Sequence, residues 1–381
     1  MQATEARPNR AATVGYAVEY RSGQKELCGE GPPAFTILVP DRQTLEHVLK
    51  DNSYAVALSY IHGEFDISGD LVAALQVRHH HSRRGFLDFF WSLAARFAPR
   101  RIETWFQSRE RAARNIRFHY DASNDFYGTF LDSNFVYSAG YFDHANWSLE
   151  EAQQAKLEGI CKRLDLHPGE RFLDVGCGWG GLLLHAVEHY SVHGVGCTLS
   201  RSQYTFTEST IHIRGLDHSA TVKEIDYRDL TGRFDKIASI GMFEHVGRRR
   251  LSKYFAKIYS LLESGGLFFN SGVTRPQSVT GDAQTCFLQR RVFPGGELAH
   301  LSDVIRKAEG AGLTVLNVQS LRKHYARTCR EWVERLRQRK EACVGLVGDE
   351  TYRTWLLYLS ASALSFETGQ TDVFSILMTR R

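Results

Sequence analysis

The chain has 381 residues, 43% hydrophobic and 24% charged, with a formal net charge of +4. That composition excludes a disordered polypeptide and provides material for two or three hydrophobic cores. The first dozen residues are polar and lack an apolar signal core, and no run approaches the roughly 20 apolar residues of a membrane span, so the expectation is a soluble, cytoplasmic protein. Seven cysteines (Cys28, Cys161, Cys177, Cys197, Cys286, Cys329 and Cys343) are scattered without paired metal-ligand spacing. They predict reduced, mostly buried thiols and no metal site.

In chain order, residues 34–75 alternate short apolar runs with turns. Phe35 to Val39 comes first, then a helix-like stretch from Gln43 to Leu49, the apolar run Ala55 to Ile61, and Gly63-Glu64-Phe65-Asp66-Ile67-Ser68-Gly69-Asp70-Leu71. This predicts a small α+β domain over residues 1–77, followed by a basic helical linker over 78–117. From Val77 to Arg117 there are ten arginines against Asp88, Glu103 and Glu110, a local charge of +7 that leaves −3 for the rest of the +4 chain. Phe86, Leu87, Phe89, Phe90, Trp91, Leu93, Ala94 and Phe97 recur there at helical spacing, flanked by Arg83, Arg84, Arg96, Arg100 and Arg101. Such a segment suits an anionic membrane surface or a helix packed between domains. No recognition motif accompanies it, so nucleic acid is not the expected partner. His79, His80 and His81 have no companion ligands nearby in sequence and read as a solvated stretch.

Residues 118–381 predict a second domain of the α/β class. A charged helix from Leu149 to Leu166, with Ala152, Ala155, Leu157 and Ile160 on one face, leads into an apolar strand and a glycine turn, Phe172-Leu173-Asp174-Val175-Gly176-Cys177-Gly178-Trp179-Gly180-Gly181. Gly176 and Gly178 leave room for a ligand at the carboxyl end of the strand, while Gly180 and Gly181 allow the next helix to pack closely. Further apolar runs end in Thr198-Leu199-Ser200, Asp226-Tyr227 and Gly241-Met242-Phe243-Glu244-His245. In a parallel open sheet such ends share one edge, where ligands bind. A dinucleotide site would carry a third glycine at set spacing and an acid after the second strand, where this chain has Thr198, so S-adenosylmethionine is the better candidate. Helices follow through Arg330 to Ala342 and Thr351 to Ser365, and Asp372 to Met378 predicts a last strand, an antiparallel edge or hairpin partner of the sheet.

The order of the motifs carries a resemblance over almost the whole chain. His119-Tyr120-Asp121, Asn124-Asp125-Phe126-Tyr127, Tyr137-Ser138, Leu149-Glu150-Glu151-Ala152-Gln153, the glycine turn, Asp226-Tyr227-Arg228 and Met242-Phe243-Glu244-His245-Val246-Gly247 together resemble the cyclopropane-fatty-acyl-phospholipid synthases and mycolic acid methyltransferases. The resemblance implies a Rossmann-like class I methyltransferase domain with a mostly parallel seven-stranded sheet, preceded by a small lipid-binding α+β domain. It implies S-adenosylmethionine as methyl donor and an unsaturated acyl chain of a membrane phospholipid as acceptor, with the protein at the inner face of the membrane. Carried over, Tyr137 and Ser138 contact the donor from a lid, Gly176 and Gly178 line its methionine part, Thr198, Ser200 and Gln203 lie near its ribose, and Asp226 and Tyr227 near its adenine. Ser200 also reads as a plain helix cap, and Tyr227 as wall. The front domain and basic segment offer surface for a homodimer facing one membrane.

The chemistry asks for a dry pocket, ring faces beside the cation that forms on the acyl chain, and a base. Phe243, Tyr141 and Phe287 are the candidate rings. The resemblance implies a bound bicarbonate as base, with Glu244 and Tyr325 kept among the residues around it. Ala139 and Asn270 stand where the family has cysteine and histidine, and Ser362 where it has a further cysteine. Asparagine still donates a hydrogen bond; alanine offers nothing comparable. The expected product is therefore open between a cyclopropane and a methylated or methylene-branched chain. Two other readings stay open: N-methylation of a small amine, and a lipid-binding protein without catalysis.

Overall fold

Alternation of buried and outward-facing residues builds two separate sheets in this chain. The computed structural model describes residues 14–50, 53–82, 123–278 and 298–381, and the chain divides into two bodies, 1–93 and 94–381. In the first, strands β1 (Val14–Tyr20), β2 (Lys25–Cys28), β3 (Glu30–Val39) and β4 (Asp66–Gly69) form a sheet of order β2-β1-β3-β4. β1 runs antiparallel to β2 and parallel to β3, and β3 is antiparallel to β4. Phe35, Ile37 and Val39 of β3 are buried at every second position, as a half-buried strand requires.

Helices α1 (Arg42–Lys50), α2 (Ser53–Ile61) and α3 (Leu71–Ser82) complete this body. The α+β expectation is met, with additions. β1 and β2 lie ahead of the residues the sequence singled out, and the run Ala55 to Ile61 is helical. α3 continues across the expected boundary at 77, so the backbone of His79 to His81 is helix. The remainder of the basic segment, with Phe86 to Phe97 and the arginines from Arg83 onward, lies outside the described residues, as do His119 to Asp121, Cys286 and Phe287.

The second body holds a short helix α4 (Asn124–Gly128), then α5 (Leu149–Arg163), β5 (Arg171–Val175), α6 (Gly181–Tyr190), β6 (His193–Thr198), α7 (Arg201–Ile213), β7 (Ala220–Glu224) and β8 (Phe234–Ile240). It continues through α8 (Phe243–Val246), α9 (Leu251–Leu261), β9 (Leu262–Thr274), α10 (Leu301–Glu309), β10 (Leu313–Ser320), α11 (Arg322–Gln338), α12 (Lys340–Val347), α13 (Asp349–Thr368) and β11 (Asp372–Arg380). The seven strands take the order β10-β11-β9-β8-β5-β6-β7. Pairing is parallel throughout except at β11, which is antiparallel to both β9 and β10. The last strand is thus antiparallel, as expected, but inserted between two others and not at the edge. Its buried Val373, Ile376 and Met378 fit an interior position.

Two cores cover the two faces. Leu173, Val175, Ile237 and Phe268 pack with Tyr254, Phe255 and Ile258 of α9 on one side. Phe172, Ala238 and Phe269 pack with Leu157 and Ile160 of α5 and Leu183 of α6 on the other. Alternation therefore puts Asp174 on the α5 side with Phe172, and Asn270 on the α9 side with Phe268. α5 is started by a capping box in which the Ser148 hydroxyl accepts from Glu151 N–H and the Glu151 carboxylate accepts from Ser148 N–H. Among the described residues no helix is long and apolar enough to cross a membrane.

Candidate functional site

Where the parallel strands end, their connections leave a cavity. β5 delivers Asp174, Gly176, Cys177, Gly178 and Trp179 to it, β6 delivers Thr198, and residues after β7 and β8 add Asp226, Tyr227, Gly241 and Met242. A segment before α5, Phe135 to Ser138, forms the opposite wall, and Lys156 and Leu157 of α5 close it from the side.

The glycine turn divides its work between two positions. Gly178 has φ +57°, and a Cβ there would meet nothing within 4 Å. Gly180 has φ +84°, and a Cβ would sit 2.6 Å from Thr207 Cγ2. The first leaves space for a ligand; the second lets α6 approach α7. The Gly176 and Cys177 amides each donate to the Cys197 carbonyl at 3.0 Å, locking the turn onto β6.

Of the expected donor residues, Tyr137, Ser138, Gly176, Gly178, Thr198, Gln203, Asp226 and Tyr227 all line this one cavity. Thr198 Oγ1 donates to Gln203 Oε1 at 2.8 Å, which turns the Gln203 amide. Asp226 is held by Arg228, whose Nε donates to Oδ1 at 2.8 Å, and Tyr227 packs edge-on against Tyr254. The Tyr137 ring lies among Tyr127, Phe130 and Trp332, and its burial keeps the hydroxyl well above the usual tyrosine range, hence protonated. Ser200 is different. It is fully buried, does not line the cavity, and accepts from Gln203 N–H at the start of α7, so its role is the helix cap.

Three residues to which the sequence reading gave no role stand at the site. Asn124 Oδ1 accepts from Trp179 Nε1 at 2.8 Å and from Ser202 Oγ at 2.9 Å, tying α4 to the glycine turn and to α7. Lys156 and Asp174 both line the cavity and are each only 3% exposed. Lys156 Nζ donates to Ser138 Oγ at 2.9 Å, and desolvation lowers its pKa to about 8. Asp174 has no hydrogen-bond or ion-pair partner among the described residues, and desolvation raises its pKa to about 7, with Lys156 opposing. The signal was available: an acid inside an otherwise apolar strand, and a lysine on the buried stripe of a helix.

Glu244 and Tyr325, the expected catalytic pair, are not among the residues that line the cavity. Glu244 Oε1 accepts from Val273 N–H of β9, Oε2 is buried without a hydrogen-bond partner, and burial raises the carboxyl to about 7. Tyr325 stacks on Phe366 with ring centroids 4.6 Å apart. Asn270 Oδ1 accepts from the Tyr254 hydroxyl at 3.1 Å, while its Nδ2 is buried without a partner, and Ala139 is buried with no donor to offer. Ser362 Oγ donates to the Tyr358 carbonyl of its own helix. Of the set that the resemblance places around a bicarbonate, Glu244 Oε2 and Asn270 Nδ2 thus remain buried polar atoms without a hydrogen-bond partner, while Ala139 and Ser362 offer no free donor. Phe243 and Tyr141 are likewise absent from the lining; among the described residues, Phe135, Tyr137, Trp179 and Tyr227 bring rings to the cavity. His245 lines it too, and its burial depresses its pKa to about 4, so it is neutral near pH 7.

The family model described as mycolic acid cyclopropane synthetase matches residues 107–376. A probable fatty acid methyltransferase from Pseudomonas putida is 36% identical over 359 residues, covering 92% of this chain and 88% of that protein. Cyclopropane mycolic acid synthase 1 from Mycobacterium tuberculosis is 35% identical over 270 residues, 68% of this chain and 94% of its own. Among solved structures, mycolic acid cyclopropane synthase CmaA1 complexed with SAH and CTAB superposes with a TM-score of 0.68 at 33% identity, covering 70% of this chain and 98% of that one.

Proposed function

The chain belongs to the mycolic acid cyclopropane synthetase family and is an S-adenosylmethionine-dependent methyltransferase, and from that premise we propose that its acceptor is the double bond of an unsaturated phospholipid acyl chain. The observation that carries this reading is the mixed lining of the cavity, which combines polar features suited to an adenosyl amino acid, the open Gly178, the Thr198–Gln203 pair and Asp174, with the aromatic rings of Phe135, Tyr137, Trp179 and Tyr227.

When bound, S-adenosylmethionine supplies an electrophilic methyl group. An alkene is a weak nucleophile without a proton to lose first, so the protein acts mainly by holding it in line and dry. Tyr137, Trp179 and Phe135 exclude water, and their faces stabilise the cation that forms on the acyl chain. Tyr137 cannot serve as base, because its hydroxyl stays protonated, and neutral His245 with a pKa near 4 is a weak one. Similarity to a probable fatty acid methyltransferase over 92% of this chain supports an acyl substrate.

A second reading concerns the product. Ala139 and the buried Asn270 replace the cysteine and histidine that the resemblance places around the base, which favours transfer of the proton from a neighbouring acyl carbon to another acceptor, such as the Asp174 carboxylate in the cavity lining, and a methylated or methylene-branched product over ring closure. The test of the acceptor is methyl-labelled donor with three substrates in parallel: monounsaturated phospholipid vesicles, saturated vesicles and a small-amine panel. Label in the acyl chains of the unsaturated lipid alone is expected. Label in amines, or equal label with saturated lipid, would refute the acyl double bond as acceptor.

A further inference from the structure

Beyond Ser138 the segment that walls the cavity continues through Gly140, Tyr141 and Phe142, and successive amides there turn to opposite sides, as in an extended chain. Gly140 N–H donates to Thr328 Oγ1 at 3.0 Å and Phe142 N–H to His324 Nδ1 at 3.0 Å, while Tyr141 N–H, between them, donates to the Ala152 carbonyl of α5 at 2.8 Å. His324 and Thr328 stand one turn apart on α11, so two side chains on one helix face match the two-residue repeat of the wall. Thr328 is fully buried, and its hydroxyl donates in turn to the His324 carbonyl at 2.8 Å, which fixes its direction. The same helix reaches the segment further out, where Arg335 donates to the Leu131 carbonyl at 3.0 Å and Arg327 to the His144 carbonyl at 3.1 Å. From the α5 side, Gln153 Nε2 donates to the Val136 and Ser138 carbonyls at 3.2 and 2.9 Å. The stretch that carries Tyr137 and Ser138 is thus set by two helices.

We propose that His324 and Thr328 are positioning residues for methyl transfer, holding Gly140 and Phe142 on α11 so that the Tyr137–Ser138 wall keeps its place at the cavity. The proposal rests on the cavity being the methyl-donor site and is independent of the acceptor. Neither residue lines the cavity itself, so each acts through the wall. Thr328 can do so at any pH; His324 cannot. Its Nδ1 accepts from an amide, and an imidazolium has no acceptor nitrogen, so protonation breaks the bond to Phe142. The charged groups that face the ring are Asp143 of the wall and Arg327 of its own helix, and the Tyr141 ring lies 5.9 Å away with its hydroxyl kept protonated by burial. Burial holds the His324 pKa below the ordinary histidine value, with Asp143 opposing and Arg327 adding to the effect. The wall is therefore held at neutral pH and released as pH falls through that lowered value.

The test is calorimetric titration of S-adenosylhomocysteine into the full chain at about pH 7.5 and about pH 5, for wild type, His324→Asn and His324→Leu. Asparagine places Oδ1 where the ring has Nδ1 and does not titrate, whereas leucine offers no acceptor. Between the two pH values the wild type is expected to lose at least about fivefold more affinity than His324→Asn, and at the higher pH His324→Leu is expected to bind about five- to tenfold more weakly than wild type. Asp174 also titrates in this range, but it is common to wild type and His324→Asn and cancels in their comparison. Thr328→Val is expected to weaken binding about fivefold at both pH values, and Thr328→Ser to restore it. Wild type and His324→Asn with the same pH dependence would overturn the proposal, and that comparison stands whether or not the leucine variant folds. So would a folded His324→Leu with wild-type affinity at the higher pH, or a serine at 328 that restores nothing. A wild type that binds no S-adenosylhomocysteine at either pH would refute the methyl-donor reading and the proposal with it.

Discussion

Gly178 and Gly180 stand two residues apart in one turn and do different jobs, which makes them a sharp pair of tests. Alanine at Gly178 must accept φ +57° but meets open space, so the fold loses about 1 kcal/mol while the methyl projects where a ligand approaches. The expected outcome is donor affinity reduced at least about tenfold with a small change in melting temperature. Alanine at Gly180 drives a Cβ to 2.6 Å from Thr207 at φ +84°, so stability falls by about 2 to 4 kcal/mol. Both glycines were legible in the sequence. Lys156, Asp174 and Asn124 were less so, since each is a polar residue inside a pattern dominated by its apolar neighbours. Where the Glu244 side chain goes was not legible: it follows the strand end in sequence, but it turns back to bond Val273 N–H on β9.

Glu244 also makes a pH prediction. Its folded pKa of about 7 lies above the ordinary 4.5, so the folded state holds a proton that the unfolded chain has released between those values. The cost of the buried, unpartnered Oε2 is therefore absent below about pH 4.5 and complete above about pH 7. Glu244→Gln should melt a few degrees above wild type at pH 8, on the order of 2 kcal/mol, and the advantage should vanish near pH 4.5. Thermal melts across that range check it; an advantage independent of pH would contradict the account.

At the scale of elements, α5 is more than a cover for the sheet. Its buried stripe of Leu149, Ala152, Gln153, Lys156, Leu157 and Ile160 keeps the 3.6-residue period, with two polar members aimed at the cavity wall. Sequence periodicity found the helix but admitted only apolar residues to its inner face. α4 acts similarly from a distance, because Asn124 joins Trp179 to Ser202. Asn124→Ala leaves the Trp179 N–H without its acceptor and should cost about 1 to 2 kcal/mol of stability, with weaker donor binding by titration calorimetry. Unchanged donor affinity would separate α4 from the site. β11 shows where element order was not legible: a run of alternating apolar residues fixes a strand, but its insertion between β9 and β10 depends on partners far away in sequence.

At the scale of the whole molecule, the parallel sheet and its ligand edge were readable because each strand ends in a polar cluster after an apolar run. The front body was legible only in part, since β1 breaks its alternation at the adjacent buried pair Ala17 and Val18 and β2 has four residues. We propose that the arginine-rich segment after it brings the enzyme to an anionic membrane. Replacing Arg83, Arg84, Arg100 and Arg101 by Gln should then lower activity on anionic vesicles far more than on detergent-dispersed lipid, and the difference should shrink with added salt. Equal loss on both substrates would assign the segment a structural role.

The most direct test of the account is fragmentation mass spectrometry of monounsaturated phospholipid after incubation with the purified protein and S-adenosylmethionine. The account predicts a gain of one CH2 unit in the acyl chain at the position of the double bond, with an alkene retained if the changed surroundings of Ala139 and Asn270 have moved the deprotonation. Acyl chains unchanged in mass, under conditions where the donor binds, would contradict it.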